Sequence, residues 1–360
     1  MKYLFLSLLV LHGLIHLMGF AKGFQLADIK ELTLPVSKMA GLFWFAAFAM
    51  FGITAAMYGM DKPLWWIPAF AAITLSQLLI IGAWQDAKYG TIANAMILLV
   101  AMSAFFAFQF EQQYKNDVLA AQNEIVTTNS TIITEDVLAE LPDEVTDYLK
   151  FTNWDGKIVP VGFKAVMHGR MRNKTLDWFD FTTEQYNFFD KPTRLFFMKA
   201  KMFGLPVLGY HKYADGQSSM DIRLLGLIPV AQHSGKDMLH TETVSFFNDI
   251  VLFAPGRLVA EGIEYCNESN LECQFSAWNE NIKAELFFRP DGSLYDFTSK
   301  DRMDVDYGDY LPWSTPIPGY KLQDELRIPT HGDVIFEYPD GPFTYGEFDI
   351  DAISYFFPKA

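Results

Sequence analysis

Four long apolar stretches, Leu4–Phe20, Met39–Met60, Leu64–Trp84 and Ile92–Phe110, fill the first third of the chain. A hydrocarbon core about 30 Å thick needs roughly 20 apolar residues as helix, so each stretch reads as a candidate span. Charges and breakers gather between them, at Lys22 to Lys38 with Pro35, at Asp61-Lys62-Pro63 and at Gln85 to Gly90, as short loops at a headgroup boundary require. Trp44, Trp65, Trp66, Trp84 and Tyr89 lie near several of the expected ends, as an interfacial belt would. The first stretch is followed by Gly19-Phe20-Ala21-Lys22-Gly23-Phe24 without a clear small-x-small cleavage site, which favours a retained helix over a signal peptide.

Charge divides the chain at the same place. Through Glu111 there are 6 Lys, no Arg and 5 acidic residues, net +1; from Gln112 there are 22 basic and 38 acidic residues, net −16. The expected organisation is a four-helix transmembrane region over 1–111, a linker over 112–131 and a soluble domain over 132–360. Such an acidic chain lacks the basic face that phosphate neutralisation needs, which argues against nucleic acid as a partner and leaves the lipid bilayer as the expected one. Lysines orient the spans weakly: Lys22, Lys30, Lys38 and Lys88 favour one topology, Lys2, Lys62 and Lys115 the other. The location expected is a bacterial cytoplasmic membrane.

Polar groups inside the spans are costly in hydrocarbon and need a reason. His12 and His16 stand four residues apart on one helix face. They suit either a metal, haem or quinone contact or, more simply, hydrogen bonds to neighbouring helices, and no other span supplies a His to complete a ligand set. Gln77, Asn94 and Ser103 read as interhelical partners.

Beyond Ile158 the pattern changes to short runs rich in Val, Phe, Tyr and Thr, broken by Gly, Pro and Asn/Asp every 8 to 14 residues. This spacing predicts an antiparallel meander. Arg289-Pro290-Asp291-Gly292 and Tyr338-Pro339-Asp340-Gly341 supply hairpin turns. One interruption, Asp237 to Phe253, reads as a helix ended by Pro255-Gly256, suited to the concave face of a curved sheet. Phe246, Phe247, Ile250 and Val251 would then face a core or a ligand cavity.

The chain resembles bacterial domain-of-unknown-function family 6544 over roughly Glu135 to Ile353. The likeness rests on Leu141-Pro142-Asp143-Glu144-Val145-Thr146-Asp147-Tyr148-Leu149, Gly169-Arg170-Met171-Arg172, Asp215-Gly216-Gln217-Ser218-Ser219-Met220, Leu224 to Val230 and Arg327-Ile328-Pro329-Thr330-His331-Gly332-Asp333-Val334. It implies a curved half-barrel similar to lipoprotein-carrier domains and no catalytic residues. Where many relatives have Trp or Arg around the central helix this chain has Ser245, Phe247 and Asn248.

Cys266 and Cys273 are the only cysteines. A hairpin with an even-length tip between them would place the two opposite each other for a disulfide, and so point to an oxidising compartment for the soluble half; the other reading is two free thiols. No G-x-S-x-G, H-E-x-x-H or zinc-type spacing occurs, and Asp301, Asp304, Asp306 and Asp309 lack a full EF-hand pattern. The chain therefore reads as a non-enzymatic, cofactor-free module binding a lipid, acyl chain or other apolar ligand. The alternative is a membrane redox or metal protein built on His12 and His16.

Overall fold

The computed structural model describes residues 2–126, 130–260, 262–267 and 271–358. The chain forms two units, Met1–Phe110 and Glu111–Ala360.

The first unit is helical. Its elements are α1 (Lys2–Gly23), α2 (Lys38–Gly59), α3 (Trp66–Gly82), the short α4 (Trp84–Ala87) and the start of α5 (Gly90–Asn123). Among the described residues α1, α2 and α5 are long and apolar enough to cross a membrane, whereas α3 has only 17 residues, so the expected four spans become three and one short apolar helix. Asp61-Lys62-Pro63 and Trp65 delay the start of α3, and its end at Gly82 precedes a separate turn of helix. Helices α1 and α2 touch closely because glycine allows it. A Cβ at Gly19 would lie 2.3 Å from the Trp44 ring, and one at Gly23 would lie 3.0 Å from the Gly41 backbone. Ser37 caps α2 by accepting from the Ala40 amide at 3.1 Å. Asp86 accepts from the Thr33 and Leu34 amides at 2.7 and 3.0 Å and from the Thr33 hydroxyl at 2.7 Å, which ties the loop before α2 to the α3–α5 connection.

The polar stretch after Phe110 is helix. α5 continues to Asn123, with Tyr114 and Val118 buried in the second unit. Tyr114 stacks on Phe197 at 4.9 Å, and Asp117 accepts from Tyr210 and Lys212 at 2.7 and 2.8 Å. Every third or fourth residue of this segment meets the sheet, so it packs as a helix face and does not act as a tether. Residues 127–129 of the expected linker lie outside the described residues.

The second unit opens with α6 (Glu135–Leu138), capped by Thr134, and α7 (Asp143–Phe151), which buries Val145, Tyr148 and Leu149. Six strands follow as a meander: β1 (Gly162–Met171), β2 (Phe179–Phe188), β3 (Thr193–Met202), β4 (Leu205–Ala214), β5 (Gln217–Leu224) and β6 (Ile228–Ser234). Helix α8 (Lys236–Phe253) and a 3-10 turn (Pro255–Val259) interrupt them. The remaining strands are β7 (Ile263–Asn267), β8 (Leu271–Ala277), β9 (Glu280–Phe288), β10 (Leu294–Ser299), β11 (Met303–Asp304), β12 (Asp309–Tyr310), β13 (Trp313–Ser314), β14 (Tyr320–Gln323), β15 (Leu326–Pro329), β16 (His331–Tyr338) and β17 (Gly341–Phe356).

Thirteen of the described strands form one antiparallel sheet in the order β6-β5-β4-β3-β2-β1-β17-β16-β13-β10-β9-β8-β7. The pairing of β1 with β17 joins the first meander to the second, and bulges at Val166/Met167 and Val334/Ile335 interrupt the ladder there. Both expected Pro-Asp-Gly turns form. Gly292 (φ 83°) donates to the Arg289 carbonyl at 2.9 Å, and Tyr338 pairs with Gly341. The β-rich run Arg327–Tyr338 breaks after Pro329 between β15 and β16, which belong to different sheets.

Candidate functional site

Helix α8 lies against the sheet, and the core of the second unit is built around it. Its apolar side is aromatic: Phe247 stacks on Phe275 at 4.8 Å, and Phe246 lies 5.4 Å from Tyr213 and 6.1 Å from Phe275. Phe246, Phe247, Ile250 and Val251 are 0–2% exposed. They pack against the sheet as core residues, the first of the two readings of this face. Large faces on both partners explain this, since an aromatic helix laid on an aromatic sheet removes both from water.

The same helix carries charge into the interior. Glu242 and Asp249 are seven residues apart, two turns along one face, and both meet Arg194 of β3. Arg194 Nη1 donates to Glu242 at 2.9 Å and its Nε donates to Asp249 at 2.7 Å. Inward residues of β2 complete the cluster: Gln185 and Asn187 donate to Asp249 at 2.6 and 3.1 Å. His211 of β4 lies 3.4 Å from the second oxygen of Glu242. Burial raises the cost of each charge, but the Arg194 guanidinium and His211 bring Glu242 down to about 2. Burial pushes Asp249 up despite Arg194, and the charge of Glu242 adds to the push, so two carboxylates sharing one guanidinium diverge. Further along the helix Arg302 donates to Ser245 and stacks over Trp313 at 4.6 Å, and Asn248 donates to Thr315 at 2.7 Å. The polar side of α8 is therefore held largely by side chains of the surrounding sheet and loops.

This cluster was not singled out from the sequence. Its signal was the spacing of Glu242 and Asp249 inside an otherwise apolar helix, and Arg194 at the start of the strand Leu195-Phe196-Phe197.

His12 and His16 form a different kind of cluster, in the helical unit. His12 Nε2 donates to Asn94 Oδ1 at 2.9 Å, and His16 Nδ1 donates to the His12 carbonyl at 2.8 Å. Ser76 donates to His16 Nε2 at 2.9 Å, while the Asn94 amide donates to Ser76 and Gln77 at 3.0 and 3.1 Å. Three helices, α1, α3 and α5, are thereby stitched through neutral groups, as the interhelical reading of these residues expects.

The expected disulfide is a correction. In the hairpin of β7 and β8, Asn267 pairs with Leu271, Cys266 with Glu272 and Tyr265 with Cys273. The register is one residue away from the one that would place the cysteines opposite each other, and a one-residue slip turns side chains to opposite faces. Cys273 points into the core, where burial pushes its thiol up to about 12, and Cys266 is half-buried and likewise free. Residues 268–270 at the tip lie outside the described residues. With both thiols free, the cysteines give no sign of an oxidising compartment for this half. The acidic loop is also self-satisfied: Asp304 accepts from the Asp306 and Tyr307 amides at 2.9 and 3.2 Å and from Tyr338, and Asp301 accepts from the Lys283 amide at 2.7 Å.

Comparison with known proteins gives two findings. The profile described as "Family of unknown function (DUF6544)" matches residues 131–348. A solved LolA superfamily protein from Nitrosomonas europaea is similar at 10% identity and a TM-score of 0.31, over 58% of this chain and 92% of that one. A likeness that loose carries no functional argument. No curated protein matches the chain.

Proposed function

The chain belongs to the family of unknown function DUF6544, and from that premise we propose that it is a membrane-anchored, non-catalytic module that takes an apolar ligand, such as an acyl chain, between its curved sheet and helix α8. The observation that carries this reading is the composition of the interface under α8. On one side of the helix Phe246 and Phe247 meet the rings of Tyr213, Phe275 and Phe297, an aromatic contact that suits hydrocarbon. The other side is held by Arg194, Asn187, Gln185 and Thr315 through side-chain hydrogen bonds that do not belong to the sheet ladder. These bonds lie outside the strand ladder, so the aromatic side of the helix can lift from the sheet without opening the strands while Arg194 keeps Glu242 and Asp249, and an apolar chain can take over the aromatic contacts. The amino-terminal helices α1, α2 and α5, with the shorter α3, form the anchor in a cytoplasmic membrane.

The test is photocrosslinking of the full-length chain in mild detergent with a diazirine-bearing fatty acid, followed by peptide mapping. Saturable adducts on 236–253 and on β8 to β10, competed by unlabelled fatty acid, are expected. Adducts confined to 2–123, where any membrane helix meets lipid, would overturn the reading.

A further inference from the structure

Two neighbouring hairpin tips at one end of the meander present large apolar side chains to water. Phe203, between β3 and β4, is 92% exposed, and Leu227, Ile228 and Val230, at and after the β5–β6 turn, are 41%, 48% and 57% exposed. The strands alternate in direction, so both turns fall at the same end, and the Leu225 amide donates to the Pro206 carbonyl at 2.8 Å, which locks them side by side.

The turns are built against backbone preference. Phe203-Gly204 has φ of 52° and 79°, and Leu225-Gly226 has 59° and 69°, conformations for which Asn-Gly or Asp-Gly is favoured. The chain uses that preferred chemistry at the other end of the same strands, where Asp215-Gly216 has φ of 56° and 68°. An apolar residue therefore stands where a polar one would be less strained and better solvated, and it does so at two adjacent tips and not at the opposite end.

Charge points to what meets them. From Gln112 onward the chain is net −16, yet 199–208 and 222–231 contain Lys199, Lys201 and Arg223 and no acidic residue; Lys199 pairs with Glu111 and Arg223 with Asp221, both at 2.7 Å, which leaves Lys201, two residues from Phe203, as the cation of the tips. Protruding tips with apolar ends, a lysine beside one of them and no carboxylate within the turns match the headgroup region of an anionic lipid surface. The chain's own apolar helices hold it at a bilayer, which raises the effective concentration of that surface. We infer that this end of the sheet inserts Phe203 and the Leu227–Val230 tip into the headgroup region of an anionic bilayer. The inference does not use the interface under α8.

The experiment places an environment-sensitive fluorophore at Phe203→Cys or Leu227→Cys in a Cys266→Ser background, with the full-length chain in phosphatidylcholine vesicles containing phosphatidylglycerol. Doxyl-labelled acyl chains are expected to quench both sites and aqueous iodide to quench neither. Adding Phe203→Ser to the Leu227→Cys chain, a change at a solvent-exposed turn that leaves the fold intact, is expected to shift the inserted-to-withdrawn ratio by about tenfold, given the apolar area removed. Quenching by iodide and not by lipid at both sites overturns the inference. Label-to-label contact with cysteine crosslinking between chains would assign the tips to a second copy and overturn it too.

Discussion

The two units each bury a polar cluster, and the clusters are opposite in kind. In the helical unit His12, His16, Ser76, Gln77 and Asn94 are joined by hydrogen bonds between neutral groups. In the β unit two carboxylates and a guanidinium are buried together, with Arg194 only 11% exposed. The difference teaches what each environment tolerates. A helix bundle without charges to neutralise can specify its packing with amides, hydroxyls and imidazoles, at a modest gain per bond. Arg194, Glu242 and Asp249 each depend on the others, because any one left alone is an uncompensated charge in the core.

The largest expected effect tests that dependence. Arg194→Met removes the shared cation and should cost the β unit about 3–5 kcal/mol, read from thermal or denaturant unfolding of the full chain. A loss below that of an ordinary surface change would mean that the cluster is solvated. A second effect separates the clusters by pH. Glu242 is held at about 2 against an ordinary 4.5, so its contribution is present above pH 4.5 and is lost as pH falls toward 2. That loss amounts to roughly 3 kcal/mol. The stability difference between wild type and Glu242→Gln should shrink over this window, and a difference independent of pH would break the comparison.

Asn94→Ala, which removes the amide that bridges His12 to Ser76 and Gln77, should cost only about 1 kcal/mol, measured as a small fall in melting temperature. A loss as large as that of Arg194→Met would show the neutral cluster to be more than packing. The smallest effect concerns a partly exposed site. Burial would lower His331, but Asp349 at 2.7 Å and Asp333 at 3.0 Å hold its pKa above 6.5. Its stabilisation is therefore fully present below pH 6.5 and is lost as pH rises through the raised value, amounting to less than about 1 kcal/mol in a site open to solvent. His331→Gln should flatten that dependence in unfolding curves taken on either side of neutrality.

Much of the architecture is legible in local patterns. Hydrophobic runs reveal the amino-terminal helices, and apolar periodicity ending at Pro255 reveals α8. Pro-Asp-Gly at 290–292 and 339–341 marks two turns, because those residues restrict or permit specific φ values. Strand β4 is harder to read, since Gly209 and the pair His211-Lys212 disturb its alternation although Gly209 packs against Met198. In the continuation of α5 past Phe110 the polar residues face outward, and Tyr114 and Val118 mark the face that meets the sheet, a contact that helical character alone does not reveal.

The sequence by itself determined the division into an apolar helical part and an acidic β part, because burial period and turn chemistry are written residue by residue. Only the tertiary structure decided which residues meet across the chain. It set the register that parts Cys266 from Cys273, the seating of α8 that turns Phe246, Phe247, Ile250 and Val251 into core, and the joining of Arg194 to Glu242 and Asp249. Each of these depends on pairings between residues distant in sequence, where a shift of one position reverses a side chain and local pattern carries no record of the partner.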